Sequence, residues 1–264
     1  MLGPAMSDLL LHERQSLILR RLQSDGRVIA ASLAQELSIS EDTVRRDLRE
    51  MAAAGLCRRV YGGALPATSD ASSLTERLSL SPERKDALAR AAVPVFEAGM
   101  TLFIDSGSTN LAIARALPHT LRLTVITNAP NIASALIDRP EIDIVLLGGK
   151  LDHRTGAVIG ARAIADAASF RPDICVLGSC GFDAAGGISA DDFDEAEFKR
   201  SIARRSRALL VALTSEKLGV TAPFEVVPVG GGDHVVLEHD AGTGHVRALA
   251  SSGANVILAE PPPS

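Results

Sequence analysis

From Thr101 to Leu258 the chain repeats one pattern: a short aliphatic run, a polar break, then a stretch with helical spacing. The runs are Thr101–Asp105, Leu121–Ile126, Ile142–Leu147, Ile174–Gly178, Ala208–Leu213, His234–Leu237 and Asn255–Leu258. The helical stretches lie at 109–117, 129–138, 161–169, 191–206 and about 242–251. Strands apolar along their whole length must be covered on both faces. Helices between consecutive strands do this while returning the chain to begin a parallel neighbour. The pattern therefore predicts an α/β domain with a mainly parallel sheet. Hydrophobic residues make up 46% of the 264, with no Trp and one Tyr, so the core must be aliphatic.

The totals exclude several classes. Three cysteines without paired spacing do not make a disulfide framework. Cys57, Cys175 and Cys180 read as small buried residues of a cytoplasmic protein, and no His/Cys pair completes a metal site. No apolar run reaches the length of a membrane span. The first ten residues hold no Lys or Arg, which argues against a signal peptide.

The net charge is −5, but it is unevenly spread. Residues 1–61 carry nine Lys/Arg against eight Asp/Glu, and the remainder carries eighteen against twenty-four. Between Arg45 and Arg59 stand five Arg against Asp47 and Glu50. Such local basic charge suits a docking patch.

The patch sits in a recognisable local pattern. Leu9, Leu10, Leu17, Ile18 and Leu22 repeat at helical spacing over 8–23, and Asp25-Gly26 should stop that helix. A short helix follows at about 30–37. Ser40 is a good N-cap for a third helix with Thr43 at N3, Val44, Leu48 and Met51 as its buried stripe, and Gly55 beyond its end. Residues 56–60 read as a strand, Gly62-Gly63 as a turn and Ala64-Leu65 as a returning strand. Three short helices and a hairpin make a winged helix-turn-helix over 8–65. Its third helix shows Ser40, Thr43, Arg45, Arg46 and Arg49 outward, the arrangement needed in a DNA major groove. Arg58, Arg59 and Tyr61 lie on the wing, in reach of backbone or minor groove.

Residues 66–81, rich in Ser, Thr, Pro and Ala, read as a linker anchored by Leu74, Leu78 and Leu80. Ser81-Pro82 should open the next helix, with Ser81 as N-cap. The α/β domain then occupies 82–260. Ligands of such sheets bind at the carboxyl ends of the strands. Five polar loops fall there. In "FIDSGSTNLA" a strand ends at Asp105, and Ser106, Ser108 and Thr109 offer hydroxyls near a helix N-terminus, which favours an anion such as phosphate. Thr127-Asn128, Gly149-Lys150, the pair Glu195 and Lys199 four apart on one helix, and Lys217 supply the others. For Glu195 and Lys199 a surface ion pair is the plain alternative.

The stretch "SEDTVRRDLREMAAAGLCRRVYGGAL" resembles the DNA-binding signature of the DeoR family of bacterial regulators. The likeness continues through "ERKDALARAAVPVFEAGMTLFIDSGSTNLAIARAL", "TVITNAPNIASAL", "VLLGGKLDHRTGAVIG" and "GFDAAGGISADDFDEAEFKRSIA", covering residues 13–220. The resemblance implies a winged helix joined to a sugar-phosphate-sensing domain related to ribose-phosphate isomerases. It implies a repressor of carbohydrate uptake and catabolism genes, relieved by a phosphorylated sugar. Carried over by position, Thr43, Arg45, Arg46, Arg58 and Arg59 would touch double-stranded operator DNA. Asp105, Ser106, Gly107, Ser108 and Thr109 would hold the effector phosphate, with Thr127, Asn128, Gly149, Glu195, Lys199 and Lys217 around it. Where many members read Ala-Asp-Ser-Ser-Lys, this chain has Ala212-Leu213-Thr214-Ser215-Glu216-Lys217: Leu213 replaces the aspartate and the lysine is displaced by one.

The expectation is a regulator working as a homo-oligomer, dimer or tetramer, on paired half-sites, with no cofactor and no catalytic residues. The competing reading is a sugar-phosphate isomerase with Glu195 as base. It is disfavoured because the loop at 181–188 brings only Asp183.

Overall fold

The computed structural model describes residues 11–25, 27–54, 56–66 and 73–261. Gly26 and Gly55, expected to end two helices, lie outside these residues, as do Leu9 and Leu10.

In the N-terminal domain α1 (Leu11–Asp25), β1 (Val28–Ile29), α2 (Ala30–Leu37), α3 (Glu41–Ala53), β2 (Cys57–Val60) and β3 (Gly63–Pro66) follow in order. Ser40 caps α3 by accepting from the Thr43 N–H at 3.1 Å. Val44, Leu48 and Met51 are buried against Ile18, Leu22, Leu33 and Leu37, as their spacing predicts. The sequence did not disclose β1, which pairs antiparallel with β3 and makes the wing three-stranded, in the order β1-β3-β2. A Cβ on Gly63 would meet the Val28 carbonyl oxygen at 1.9 Å, so only glycine allows β3 to lie against β1 here.

The stretch expected to be a linker holds a helix, α4 (Leu74–Ser79). Ser73 and Glu76 close a capping box: the Ser73 hydroxyl accepts from the Glu76 N–H, and the Glu76 carboxylate accepts from the Ser73 N–H at 2.9 Å. Leu74 is buried, Leu78 packs on the core, and Leu80 is exposed. Next, α5 (Pro82–Ala92) begins at Pro82 as expected, but Ser81 makes no side-chain cap; its φ of 46° is left-handed.

The C-terminal domain is built on β4 (Thr101–Ile104), α6 (Ser108–Ala116), β5 (Leu123–Thr127), α7 (Pro130–Leu136) and β6 (Ile142–Leu146). A hairpin of β7 (Leu151–Asp152) and β8 (Ala157–Val158), α8 (Ala161–Ala167) and β9 (Ile174–Leu177) follow. Then come β10 (Gly181–Asp183), β11 (Gly187–Ala190), α9 (Phe193–Ala203), β12 (Ala208–Leu213), β13 (Phe224–Val227), β14 (His234–Leu237), α10 (Thr243–Ser251) and β15 (Asn255–Leu258). Seven strands form a fully parallel sheet in the order β15-β14-β12-β9-β4-β5-β6. Alternation along the strands divides the core between the two faces. Phe103, Cys175, Val211 and Val235 pack with Phe198 of α9 on one side; Leu102, Ile104, Val176 and Leu210 pack with Leu88 of α5 and Leu111 of α6 on the other. A small antiparallel sheet, β10-β11-β13, stands apart from the main one.

Candidate functional site

In the N-terminal domain most of the expected DNA-facing residues are exposed. Ser40, Arg45, Arg46 and Arg49 are exposed along α3, and Thr43 is half-buried, its hydroxyl 2.8 Å from that of Ser40. Arg59 and Tyr61 are exposed on the wing; the side chain of Arg58 lies outside the described residues. Arg45 donates to Glu41 at 2.7 Å across one helical turn, an exposed pair. Asp47 is different. It lies on the inner face of α3, fully buried, and takes a two-pronged contact from Arg14 of α1 at 2.7 and 3.1 Å. Of the two acidic residues inside the basic stretch, Asp47 is thus a brace between helices, and Glu50 alone stays exposed.

In the C-terminal domain, a cavity of about 50 Å³ opens at the carboxyl ends of β4, β9 and β12. The loop after β4 supplies Ser106 and Gly107, and α6 supplies Ser108 and Thr109 in its first turn. Gly107, at φ 150°, is the N-cap of α6 and brings no side chain to cap it, so the first N–H groups of a nine-residue helix face the cavity region. Asn110 ties the helix down by donating to the Asp105 carbonyl at 2.9 Å and to that of Val176 at 3.4 Å.

Beneath lies a charged cluster. Lys199 is buried, 2.7 Å from Glu195 and 3.4 Å from Asp105, and its ammonium donates to the Gly178 carbonyl at 2.8 Å. Arg154 reaches Glu195 at 3.3 Å. Glu195 and Lys199 are therefore no surface pair. Burial alone would lower the Lys199 pKa, but Glu195 and Asp105 outweigh it and raise it. Burial alone would raise that of Glu195, but Lys199 and Arg154 hold it below the ordinary carboxylate range. Asp105, with burial dominant and Glu195 nearby, is shifted upward in spite of Lys199. Two carboxylates and two cations nearly neutralise one another, so attraction for an anion falls to the groups on the cavity wall. A Cβ on Gly178 would come within 2.8 Å of the Ser106 carbonyl oxygen and 3.2 Å of Asp105, so glycine permits this close assembly.

Lys217 enters from a 3-10 turn (Ser215–Lys217) after β12 and donates to the Ser179 carbonyl at 2.6 Å on the cavity wall. Displacement by one position does not keep it out. Leu213 packs into the core on the α9 side, and Ala212 is the residue of that strand facing the cavity.

Other expected residues do not converge here. Thr127 is fully buried, its hydroxyl donating to the Ile104 carbonyl at 2.6 Å and accepting from the Ala129 N–H at 3.1 Å; its groups are spent inside the fold. Asn128 is fully buried beyond β5, and neither side-chain polar atom has a partner among the described residues. Gly149 and Lys150 are exposed and away from the cavity wall, and Gly149 packs where a Cβ would strike Val158 at 2.8 Å. The sequence reading missed Arg77 of α4, Thr155, Ser179 and Cys180 on the wall. A capping-box signature, Ser73 to Glu76, was the available signal for the first.

Among the described residues, no helix is long and apolar enough to cross a membrane, and no group of His, Cys, Asp and Glu is arranged to hold a metal ion.

Comparison with known proteins agrees with both halves. Residues 14–70 match the DeoR-like helix-turn-helix domain, and residues 80–239 match the DeoR C terminal sensor domain. The chain is 34% identical to the glycerol-3-phosphate regulon repressor of Escherichia coli over 211 residues, 80% of this chain and 84% of the relative. It is 30% identical to the HTH-type transcriptional repressor CsqR of the same species, over 84% of this chain and 85% of that one. The ribose 5-phosphate isomerase A of Methanocaldococcus jannaschii aligns over 52% of this chain and 54% of that one at 17% identity and a TM-score of 0.39, too low to bear on ligand or activity. With a DNA-binding head and a sensor domain each matched in its place, the chain belongs to the DeoR family of transcriptional regulators and is not an enzyme.

Proposed function

We propose that this protein represses a carbohydrate uptake or catabolism operon and that a phosphorylated sugar, bound in the C-terminal cavity, relieves the repression. The observation that carries the reading is the convergence on one cavity of Lys217, Arg77, the Ser108 and Thr109 hydroxyls and the uncapped start of α6, above a nearly neutral cluster. Such a wall suits a phosphate monoester: a dianion met by N–H and O–H donors and point charges. Its relatives, a glycerol-3-phosphate regulon repressor among them, favour the same class of effector.

On the DNA side, Arg45, Arg46 and Arg49 would face the major groove, with Arg58, Arg59 and Tyr61 along the backbone beside it. One small reading head offers few base contacts, so the protein would act in the cytoplasm as a homo-oligomer on repeated half-sites. Relief of repression requires that the effector bind the DNA-incompetent arrangement more tightly than the competent one.

The test is a DNA-binding titration on the protein's own upstream region, with and without a panel of sugar phosphates that includes glycerol 3-phosphate. Release of specifically bound DNA by one phosphate is the expected result. Binding that no phosphate alters would overturn the sensing half, and the absence of any preference over random DNA at physiological salt would overturn the whole.

A further inference from the structure

We propose that the cleft between the two domains is a second ligand site, for a small polyanion, separate from the effector cavity.

The cleft holds about 610 Å³, far more than the effector cavity. That volume lies within the roughly 300–1,000 Å³ of small-molecule sites, which favour domain boundaries. Here both domains build the wall. The winged helix contributes Arg21 from the end of α1, Arg27 just before β1, and Ser32 of α2. The sensor domain contributes Arg84 of α5, Ser215 and Asp240. Val28, Leu33 and Leu218, all buried, add apolar surface.

Three arginines thus share the wall with one carboxylate. Two of them have acidic neighbours: Arg21 pairs with Glu36 at 2.5 Å, and Arg84 with Glu216 and Glu238. Neither pairing uses all five N–H groups of its guanidinium. Among the described residues Arg21 donates through Nη2 alone, and Arg84 through Nε and Nη2. Asp240 has the Ser215 hydroxyl at 3.5 Å.

Arg27 stands where the domains meet. Burial, and then the charge of Arg27, lower the pKa of His245 in the first turn of α10, so the field of this arginine reaches across the cleft. On that side Gly242 lines the cleft as the N-cap of the nine-residue α10 and brings no side chain to cap it. The N–H groups of Thr243 and Gly244 have no acceptor among the described residues. With His245 held neutral, the sensor domain presents donors near Arg27 and no second cation to repel it.

These features select the ligand. Guanidinium forks from two domains favour more than one oxyanion group, and phosphate and carboxylate both fit the fork. The apolar surface and the volume leave room for a body larger than a triose phosphate. An anion seated there is gripped from both sides, so it ties the winged helix to the sensor domain without entering the effector cavity.

The full-length protein, free of DNA, is titrated calorimetrically with inorganic pyrophosphate and with citrate. The variants are Arg27→Gln, Ser32→Glu and Lys217→Gln; Arg84 is left alone because it also pins the turn of Lys217. At least one probe should bind the wild type. Pyrophosphate alone would mark the natural ligand as a phosphate ester, citrate alone as a carboxylate. Arg27→Gln should weaken binding about tenfold or more, the scale of a lost hydrogen bond to a charged group. Ser32→Glu should weaken it by repulsion, and because Ser32 is exposed the fold is not at stake. Lys217→Gln should leave it within about twofold, well under the loss of one such bond. The probe should also slow hydrogen exchange at 27–33 and 242–246 together. The proposal is overturned if neither probe binds. It is equally overturned if Arg27→Gln, or Ser32→Glu should that variant fail to fold, keeps binding within about twofold. A loss in Lys217→Gln as large as in Arg27→Gln would seat the anion in the effector cavity and overturn it too.

Discussion

Arg84 of α5 meets Glu238, at the end of β14, two atoms on two, with Nε–Oε1 at 2.5 Å and Nη2–Oε2 at 2.6 Å. The same guanidinium reaches Glu216 at 2.9 Å, and Glu238 also accepts from the Ser215 N–H at 2.6 Å. One arginine thereby pins the turn that carries Lys217. Arg84→Ala leaves the nearly buried Glu238 with Ser215 alone to donate to it. The expected cost is about 1–3 kcal/mol of stability, as for a buried acceptor deprived of its partner, read by urea unfolding. Effector affinity should fall with it, because Lys217 loses its support; an unchanged affinity would mean the turn holds itself.

The Arg14–Asp47 contact gives a second prediction. Asp47 is fully buried, whereas Arg14 keeps some solvent access. Asp47→Ala should destabilise the N-terminal domain by about 3 kcal/mol, the lower end of the range for breaking a buried pair. The double variant Arg14→Met, Asp47→Leu should recover most of that, since apolar replacements of similar size remove both desolvation costs. A double variant no better than the single would show that the pair itself stabilises.

Arg46→Ala should weaken binding to the protein's own operator by about 1–3 kcal/mol, the scale of a base contact, and leave binding to random DNA nearly unchanged. An equal loss on both, with a shallower salt slope, would move Arg46 to the phosphates. Glu41→Gln should do the opposite of harm. It frees Arg45 from a pair worth about 0.3–0.5 kcal/mol and removes a negative charge from the DNA face, so affinity should rise.

The cluster beneath the cavity sets an acid limit. Glu195 is held below its ordinary value of 4.5, so its contribution is complete above that pH and is lost as the pH falls through its lower folded value. Thermal stability of the wild type should therefore drop on acidification below about 4.5, and in Glu195→Gln this share of the drop should be missing. Asp105, shifted the other way, works against the trend, because its protonation on acidification favours the folded form. A Glu195→Gln variant whose melting temperature falls as steeply as that of the wild type through this window would contradict the arrangement.

Asn128 makes a prediction of opposite sign. Its amide is buried with neither atom partnered among the described residues, which ordinarily costs about 1–3 kcal/mol. Asn128→Leu should therefore leave stability unchanged or raise it. A lower melting temperature would show that the amide is satisfied in solution.

The sequence made much of this legible. The seven aliphatic runs correspond to the seven strands of the parallel sheet, because the central strands are buried on both faces and the half-exposed edge strands β6 and β15 are still mostly apolar. The Val44, Leu48 and Met51 stripe told which face of α3 is outward. What stayed hidden depended on distance in sequence. Nothing around Asp47 shows that Arg14, thirty-three positions away, will neutralise it. Thr127 and Gly149 stand in the right loops, yet the first turns its hydroxyl to Ile104 and the second packs on Val158. Two-residue strands such as β1 lack the length to show a period. Arg77 was masked by the Ser- and Pro-rich composition around it.

The turn after β12 has a consequence for genetics. Within four residues, Glu216 is bound by Arg84, Lys217 faces the cavity, and Gly219, at φ 70°, lies where a Cβ would press on His245 at 3.0 Å, with Ile29 of the winged helix in ordinary contact at 3.8 Å. Two residues on, Thr221 bridges to Tyr61 of the wing. Opposite phenotypes should therefore map to neighbouring codons. Substitutions at 217 should give repressors deaf to the inducer, and substitutions at 219 should give repressors that let go of DNA without it.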